Sequence, residues 1–535
     1  MQTPALNDAL RADCGNARAI NEENLMRILA ENADTVFGRE HRFAEIRDAS
    51  DYRARVPLQK YADLEPYILR MREGDARQLT AYRVLAFAQT SGTESEPKFI
   101  PATDRAQAVY GNGFEQYQDT VVRETGGMRL YINTFRSDPD KPMEPLLLYS
   151  EIYYRHLYDT GRMDMEQYAG GLPLMFCAQP GESAFGKAWV ALLEENITVI
   201  ESIFLYDQLY FFNYLETNWD KLLRSIRRRE IPEDVALAEP IREKLLSLPA
   251  DEARLRRVEA AAAQGFDGIA RRLWPRLRLI TGVSNRGYAS EDAALRRYVG
   301  DVPQFYFCYG ASECYFGAPV RENAYDYVLL PRHAFFEFLP YGNGDGGGQT
   351  LLPHELETGA LYEILFTSFA GLYRYRIGDV VRVTGYVGES PVMEYAFRKN
   401  LAINLAGEKM GTLQIEAAMQ ALRAAGWKIE MYCLGASIDR LPGRYLAAIA
   451  LEQTEGMDAD ALSAALDRAL QDANSDYRDL RKLGSLGQAS VYLFDRDRYR
   501  DFLRANGLTG GHNKPKHIAP DGFSEEVFAT WNSRE

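Results

Sequence analysis

Cysteine and histidine are scarce in this chain. Its 535 residues include six histidines and five cysteines, the latter being Cys14, Cys177, Cys308, Cys314 and Cys433. The cysteines are odd in number and show no Cys-x-x-Cys spacing, which argues against a disulfide framework and against a zinc site. The sequence shows no Ser-His-Asp or Cys-His signature, and no histidine stands out as a general base. This composition fits a reducing compartment, and we expect the protein to be cytoplasmic.

Long hydrophobic runs are also missing. No uncharged run approaches the roughly 18–20 residues that a membrane-spanning helix needs. The start of the chain carries acidic residues and lacks the apolar segment of a signal peptide, so none is predicted. The formal net charge of -14 argues against binding to nucleic acid or to an anionic membrane as the main task. We therefore expect no nucleic acid and no membrane among the partners.

The chain is rich enough in apolar residues for more than one hydrophobic core. Apolar residues make up 46% and charged residues 26% of the sequence, which is typical of globular proteins, and the length exceeds what one core usually serves. Residues 130–178 are dense in aromatic side chains, namely Tyr149, Tyr153, Tyr154, Tyr158, Tyr168 and Phe176. Such density indicates core packing or the wall of an apolar substrate cavity.

Apolar periodicity gives a coarse outline of the secondary structure. It predicts a helix over 21–36 and a mainly helical stretch over 185–274, with helices at 202–215, 219–228, 241–248 and 251–263. Strands are predicted at 277–282, 301–309, 361–366 and 380–383, with a turn at Gly378 and Asp379. After about residue 400 the pattern changes to alternating helices (412–425, 459–473, 497–506) and strands (429–434, 445–451, 489–494). This change predicts a small α+β domain at 401–535 after a large domain at 1–400.

A polar loop lies within residues 87–101, between two β-type runs. It contains four hydroxyl residues around Gly92 and ends at Lys98. Backbone N–H groups and hydroxyls that converge in this way suit a polyphosphate, and Lys98 adds a mobile charge for an outer phosphate. The loop lacks the spacing of the P-loop in nucleotide hydrolases. The alternative interpretation is an ordinary polar turn.

Three further clusters contain groups that suit a nucleotide. At 309–317 the run Tyr-Gly-Ala-Ser-Glu-Cys-Tyr-Phe-Gly offers an aromatic ring for a purine and Glu313 as an oxygen ligand for Mg²⁺. At 373–379 the run Tyr-Arg-Tyr-Arg-Ile-Gly-Asp ends in a carboxylate that has acceptors for both ribose hydroxyls. The third cluster, with Arg398, Lys399 and Lys409, supplies cations at a possible hinge. The alternative for each cluster is a set of solvated charges on a turn.

In this order and spacing, the loop and the clusters resemble the acyl-acid amido synthetase family, the auxin-responsive type within the adenylate-forming superfamily. The resemblance covers nearly the whole chain, and the runs at 309–317 and 373–379 are its most specific parts. It implies an α/β fold with a large N-terminal adenylate-forming domain of β-sheets flanked by helices and a small mobile C-terminal domain. The implied reaction joins a carboxylic acid to an amino acid through an acyl-adenylate, with ATP and Mg²⁺. We expect a monomer or a weak homodimer.

The resemblance also implies roles for individual residues. Lys409 would contact the α-phosphate as the catalytic residue, Glu313 would bind Mg²⁺, and Lys514 would meet the acceptor amino acid or pyrophosphate. The implied ATP-binding residues are Ser91, Gly92, Thr93, Lys98, Tyr309, Ser312, Asp379 and Arg398. Among these, Tyr309 would lie against adenine, Ser312 near the α-phosphate, and Asp379 on the ribose with Arg398 close to it.

Two departures from the family pattern leave questions open. Glu94 and Glu96 place two acids in a loop meant for anions. Pro515 follows Lys514 directly where the family has Lys-x-Pro-Arg, so the roles of Lys514 and Lys516 are not separated. An acyl-coenzyme A ligase and an adenylate-binding protein without catalysis remain alternatives, and no motif identifies the acid or the amino acid.

Overall fold

The computed structural model describes the chain in segments that form two compact units. These segments are residues 6–90, 98–117, 126–284, 289–341, 349–399, 402–403, 405, 408, 410–437, 439, 442–452, 457–482, 486–506, 516–519 and 525–532. The first unit takes in Met1–Thr90, Pro97–Ser284 and Leu295–Tyr395, and the second is built mainly on Ala396–Glu535. The predicted domain division at residue 400 stays a prediction.

Helices are distributed along the whole described chain. Up to residue 299 they are α1 (Asp8–Gly15), α2 (Ala17–Glu31), α3 (Val36–Glu40), α4 (Ala49–Arg55), α5 (Tyr61–Arg72), α6 (Asp104–Tyr117), α7 (Tyr149–Asp159), α8 (Leu172–Met175), α9 (Ser183–Leu193), α10 (Leu205–Thr217), α11 (Trp219–Arg228), α12 (Glu239–Ser247), α13 (Glu252–Ala262), α14 (Ile269–Leu273) and α15 (Ala289–Val299). After residue 400 they are α16 (Thr412–Ala424), α17 (Ala459–Ala473), α18 (Ser475–Lys482), α19 (Arg496–Ala505) and α20 (Glu525–Asn532).

The strands lie between these helices, with a long run of strands between α15 and α16. Those that begin before residue 400 are β1 (Val84–Thr90), β2 (Lys98–Thr103), β3 (Met128–Tyr131), β4 (Leu146–Leu147), β5 (Ile197–Phe204), β6 (Leu279–Val283), β7 (Gln304–Tyr306), β8 (Tyr309–Gly310), β9 (Tyr315–Pro319), β10 (Asp326–Leu329), β11 (Ala334–Pro340), β12 (Leu361–Ser368), β13 (Tyr375–Val387) and β14 (Ser390–Arg398). The later strands are β15 (Ala402–Ile403), β16 (Met410–Gly411), β17 (Ile429–Ser437), β18 (Arg444–Leu451) and β19 (Ser490–Phe494).

The first unit combines a parallel sheet with antiparallel ones. A four-stranded sheet, in the order β3-β5-β6-β7, is parallel throughout, and helix α10 packs on its strands β5 and β6. A seven-stranded sheet has the order β11-β12-β13-β14-β10-β9-β8, and a three-stranded sheet has the order β2-β1-β4. This mixture of sheets flanked by helices is the predicted α/β class.

The second unit is a small α+β structure, as its sequence pattern predicted. The strands form the sheet β17-β18-β19 and the pair β15-β16. Its core joins α16 and α17 to this sheet through apolar side chains such as Met419, Leu422, Leu434 and Leu466, all of them buried. The predicted helix 459–473 has the observed bounds, and the predicted strand 429–434 extends three residues further.

Several secondary-structure predictions were wrong. The predicted helix 21–36 runs too far, because α2 ends at Glu31, and the predicted strand 301–309 is divided into the shorter strands β7 and β8. Residues Ile197–Phe204 form the buried strand β5, and α10 begins only at Leu205, so the predicted helix 202–215 starts too early. A strand that is buried on both faces lacks an alternating pattern, which makes it hard to tell from a buried helix. Gly378 and Asp379 lie inside β13 and not at a turn between strands.

A buried ion pair joins the long antiparallel sheet to the chain that precedes the polar loop. Both nitrogens Nε and Nη2 of Arg374 donate to the Glu337 carboxylate, at 3.0 and 2.9 Å, and Glu337 is fully buried. The remaining nitrogen, Nη1, donates to the carbonyl oxygens of Arg53 and Val56, at 2.9 and 2.7 Å. Arg374, one of the two arginines in the 373–379 run, therefore connects α4 to the sheet.

Removal of this cation should destabilise the first unit. We expect Arg374→Met to lower the free energy of unfolding by about 3–5 kcal/mol, because Glu337 would stay buried without its partner. The double variant Arg374→Met/Glu337→Leu should recover much of the loss. Urea denaturation followed by circular dichroism measures both. A single variant as stable as the wild type would contradict a structural role for the pair.

Candidate active site

The run 309–317 forms a tight hairpin. β8 pairs antiparallel with β9, with Tyr309 opposite Gly317, and the N–H of Ala311 donates to the carbonyl of Cys314 at 2.8 Å. Ser312 and Glu313 therefore lie at the tip of this turn, side by side. A Cβ on Gly317 would lie 2.7 Å from the Cβ of Tyr327, so glycine is needed for the neighbouring strand to approach this closely.

The run 373–379 contains a β-bulge. Arg376 lies opposite Leu365, and Val380 lies opposite Glu363, so that three residues of β13 face one residue of β12. Gly378 has φ 85°, a left-handed conformation that favours glycine. Bulges change the direction of side chains next to active sites, and here the displaced residue is Asp379.

The two runs meet at one hydrogen bond. The Tyr309 hydroxyl donates to Oδ2 of Asp379 at 3.1 Å, and the two residues are 7% and 3% exposed. The Tyr309 ring also lies 5.0 Å from the ring of Phe316 and 6.0 Å from that of Tyr395. The predicted adenine and ribose residues are thus brought together in one unit, although they are 70 positions apart in the chain.

The end of the polar loop lies beside Tyr61, the first residue of α5. Thr90 and Lys98 face each other where β1 and β2 pair. The Lys98 ammonium lies 5.6 Å from the centroid of the Tyr61 ring, and the Tyr61 hydroxyl accepts a hydrogen bond from the N–H of Phe99 at 2.9 Å. Burial raises the pKa of Tyr61, and the charge of Glu313 adds a smaller contribution in the same direction.

Glu313 suits a magnesium ion that arrives with a nucleotide. Its side chain is a single carboxylate at the hairpin tip, and the residue is 8% exposed. Among the residues that the structure describes, no group of three or more His, Cys, Asp and Glu side chains is arranged to hold a metal ion. Mg²⁺ requires six oxygen ligands, and phosphate oxygens and water commonly supply most of them.

A histidine that contacts the hairpin is poorly suited to proton transfer. His333 is buried, its Nδ1 lies 3.1 Å from the carbonyl oxygen of Tyr315, and burial lowers its pKa to about 4. An imidazole with such a pKa is a weak base near neutral pH. This agrees with the absence of a general-base signature in the sequence.

Several predicted site residues are not placed beside Tyr309 and Asp379. Ser91, Gly92, Thr93, Lys409 and Lys514 lie outside the described residues. Arg398 is the last residue of β14 and is half-buried, and its position relative to Asp379 stays a prediction.

The chain next to Lys409 is held firmly within the second unit. Glu408 is 1% exposed, and its Oε1 accepts hydrogen bonds from the Leu405 N–H at 2.8 Å and from the Tyr445 hydroxyl at 2.7 Å. The Asn474 amide donates to the Glu408 carbonyl at 2.9 Å. These contacts anchor Glu408 within the second unit.

The aromatic stretch is mainly core, with one part at a cavity. Tyr153 and Tyr154 are buried and contact each other and Tyr315 or Tyr131 through their rings. Tyr168 instead lines a cavity of about 590 Å³ together with Met128, the first residue of β3. This cavity lies at the amino end of the parallel sheet, whereas open α/β sheets bind ligands at the carboxyl ends.

Tyr61 and the bulge were not among the features predicted from the sequence. A glycine within a run of strand-forming residues is a signal for a bulge, and the run 375–383 carries one at Gly378. For Tyr61 no comparable signal exists, because a tyrosine that begins an amphipathic helix is common. Among the described residues, no helix has both the length and the apolar character to cross a membrane.

Comparison with known proteins supports the resemblance. Three family models match the chain: the GH3 family N-terminal domain over residues 7–304, the GH3 family central domain over 327–398 and the GH3 family C-terminal domain over 413–522. The chain belongs to the GH3 family. The predicted family is therefore confirmed.

Curated relatives and solved structures extend this result. The chain is 28% identical to indole-3-acetic acid-amido synthetase GH3.8 of Oryza sativa subsp. indica, over 89% of this chain and 83% of the relative. It is 25% identical to indole-3-acetic acid-amido synthetase GH3.2 of Arabidopsis thaliana, over 88% and 92% of the two chains. The solved structure of GH3.15 acyl acid amido synthetase superposes with a TM-score of 0.85 at 20% identity, covering 100% of this chain and 97% of the other. The predicted fold class is confirmed.

Substitution of the bulge glycine should weaken nucleotide binding. We expect Gly378→Ala to reduce affinity for ATP about tenfold, because a Cβ at a left-handed φ costs roughly 1–2 kcal/mol and shifts the adjacent Asp379. Isothermal titration measures the affinity.

Gly385→Ala is the matched control for this experiment. Gly385 lies in the same strand, and a Cβ there would meet no atom within 4 Å. Equal affinities for the two alanine variants would show that the bulge does not position Asp379 for the nucleotide.

Proposed function

We propose that this protein is an ATP-dependent acyl-acid amido synthetase. It activates a carboxylic acid as an acyl-adenylate with release of pyrophosphate, and it then joins the acyl group to the amine of an amino acid with release of AMP. The hydrogen bond between Tyr309 and Asp379 carries this proposal, because it unites the two most specific runs of the chain at the place where a nucleoside would bind. The names of the curated relatives, which are amido synthetases, support the same reaction class.

The first half-reaction needs charge stabilisation more than a protein nucleophile. The carboxylate oxygen of the acid attacks the α-phosphorus, and the bond to pyrophosphate breaks. Negative charge grows on the phosphoryl oxygens, where fixed cations and hydrogen-bond donors are most effective. Lys98 lies at the described end of the polar loop, and we assign Lys409 to the α-phosphate.

Magnesium enters this scheme as part of the nucleotide substrate. Glu313 offers one carboxylate, and the oxygens of the triphosphate and water would complete the ligand set. The ion would reduce the repulsion between the phosphates and the incoming carboxylate. The assignment of Mg²⁺ and of Glu313 is a proposal that metal titration with ATP tests.

The second half-reaction requires an amine to reach the acyl carbonyl after pyrophosphate has left. The nitrogen lone pair forms the amide bond, the bond to AMP breaks, and the amine proton passes to solvent. Lys514 lies outside the described residues, whereas Lys516 precedes a short segment that pairs with β17 through Ile518 and Leu434. We assign one of these lysines to the acceptor carboxylate or to pyrophosphate.

Two wider properties are proposed on sequence grounds alone. We place the protein in the cytoplasm, because the cysteine content fits a reducing compartment. We also propose that it acts as a monomer or a weak homodimer. The acid and the amino acid are unspecified.

Exchange of labelled pyrophosphate into ATP tests the first half-reaction. A panel of aryl and alkyl carboxylic acids should include at least one acid that makes exchange depend on its presence, because only adenylation is reversible by pyrophosphate. Amino acids and coenzyme A are then offered as acceptors, and we expect an amide and no thioester. Thioester formation would favour the ligase that uses coenzyme A. A complete lack of exchange would favour a protein that binds adenylate without catalysis.

Loss of the Asp379 carboxylate should weaken binding of ATP itself. We expect Asp379→Ala to cost roughly 1.5–3 kcal/mol of ATP affinity, because hydrogen bonds to a charged acceptor contribute in the ground state. Tyr309→Phe, which removes only the donor to Asp379, should cost less. Unchanged affinity in Asp379→Ala would remove this residue from the nucleotide site.

A further inference from the structure

An arginine with no assigned role lies beside the strand that leaves the polar loop. Arg72 is the last residue of α5 and is exposed. Its Cζ atom lies 3.7 Å from the centroid of the Phe99 ring, and Phe99 directly follows Lys98 in β2. The guanidinium is therefore held at the described end of the loop by stacking on an aromatic ring.

The same helix also positions Lys98. Tyr61 begins α5, its hydroxyl is bonded to the N–H of Phe99, and its ring lies 5.6 Å from the Lys98 ammonium. Arg72 and Lys98 thus flank the joined pair of Tyr61 and Phe99. Burial raises the pKa of Tyr61, while the charge of Arg72 lowers it and the charge of Glu313 raises it. Arg72 and Glu313 therefore both act electrostatically on the Tyr61 hydroxyl.

The Arg72 guanidinium can bind an anion in a way that the Lys98 ammonium cannot. Stacking occupies the face of a guanidinium and leaves the N–H donors in its plane free to point at another group. Planar N–H donors of this kind bind phosphate oxygens in pairs, which a lysine ammonium does not do.

Building on the proposed function, we infer that Arg72 binds the terminal phosphates of ATP, and the pyrophosphate that they become, as a second cation beside Lys98. The contact lies at the leaving-group end of the nucleotide. It would stabilise ATP and pyrophosphate, and it would not reach AMP, which retains only the α-phosphate.

This difference between ligands provides the test. Dissociation constants for ATP with Mg²⁺, for pyrophosphate and for AMP are measured by isothermal titration with the wild type, Arg72→Ala and Arg72→Lys. We expect Arg72→Ala to weaken ATP and pyrophosphate about tenfold, which corresponds to about 1.4 kcal/mol, with AMP unchanged. Arg72→Lys should give intermediate dissociation constants for ATP and pyrophosphate, because it keeps the positive charge and loses the paired N–H donors of the guanidinium.

Arg70→Ala is the matched control. Arg70 lies two residues earlier on the same helix, is also exposed, and donates from Nε to Gln78 at 2.8 Å. We expect this variant to bind all three ligands as the wild type does.

Two results would overturn the inference. Equal weakening of ATP and AMP would mean that Arg72 only supports β2 through Phe99. Unchanged binding of ATP and pyrophosphate would mean that Arg72 contacts Phe99 at the surface and does not bind the phosphates. Neither result is confused with failure of the proposed function, because acid-dependent pyrophosphate exchange by the wild type is established first.

Discussion

The candidate site depends on the β-bulge in β13, where three residues of β13 face one residue of β12. Arg376 and Glu363, which flank this bulge on its two strands, form a bidentate ion pair at 3.0 and 2.7 Å and hold it in register. The left-handed glycine within it turns Asp379 toward the Tyr309 hydroxyl. Without the extra length the side chains would keep strict alternation, and the carboxylate would not be displaced in this way. The position of the Asp379 carboxylate is thus a property of the backbone as much as of the aspartate.

The sequence predicted the parts of this site better than their arrangement. Runs such as 309–317 and 373–379 carry chemistry in their residue types, and the roles predicted for their residues rest on the family resemblance. Their meeting could not be predicted, because a side-chain contact between residues 70 positions apart leaves no local trace in the sequence. Helices with strong periodicity, such as α11 and α17, were predicted with the observed bounds. β5 was missed because burial on both faces removes the period that identifies a strand.

Individual arginines and lysines have distinct local roles, although the chain as a whole has a net charge of -14. The arginines of the 373–379 run are committed to buried carboxylates, Arg374 to Glu337 and Arg376 to Glu363, and they act as structural cations. The cations left near the polar loop, Lys98 and Arg72, are instead held by aromatic rings. Aromatic faces orient a cation without neutralising it, which suits a site whose ligand is an anion.

The central claim is that a carboxylate oxygen is transferred to the α-phosphorus of ATP, and an isotope experiment tests it most directly. A single turnover is run with an accepted carboxylic acid labelled with ¹⁸O in its carboxylate, together with ATP and an amino acid. The account predicts an amide product and AMP that carries one ¹⁸O atom from the acid. Recovery of the label in inorganic phosphate, with ADP as the nucleotide product, would show activation at the γ-phosphate and would contradict the account.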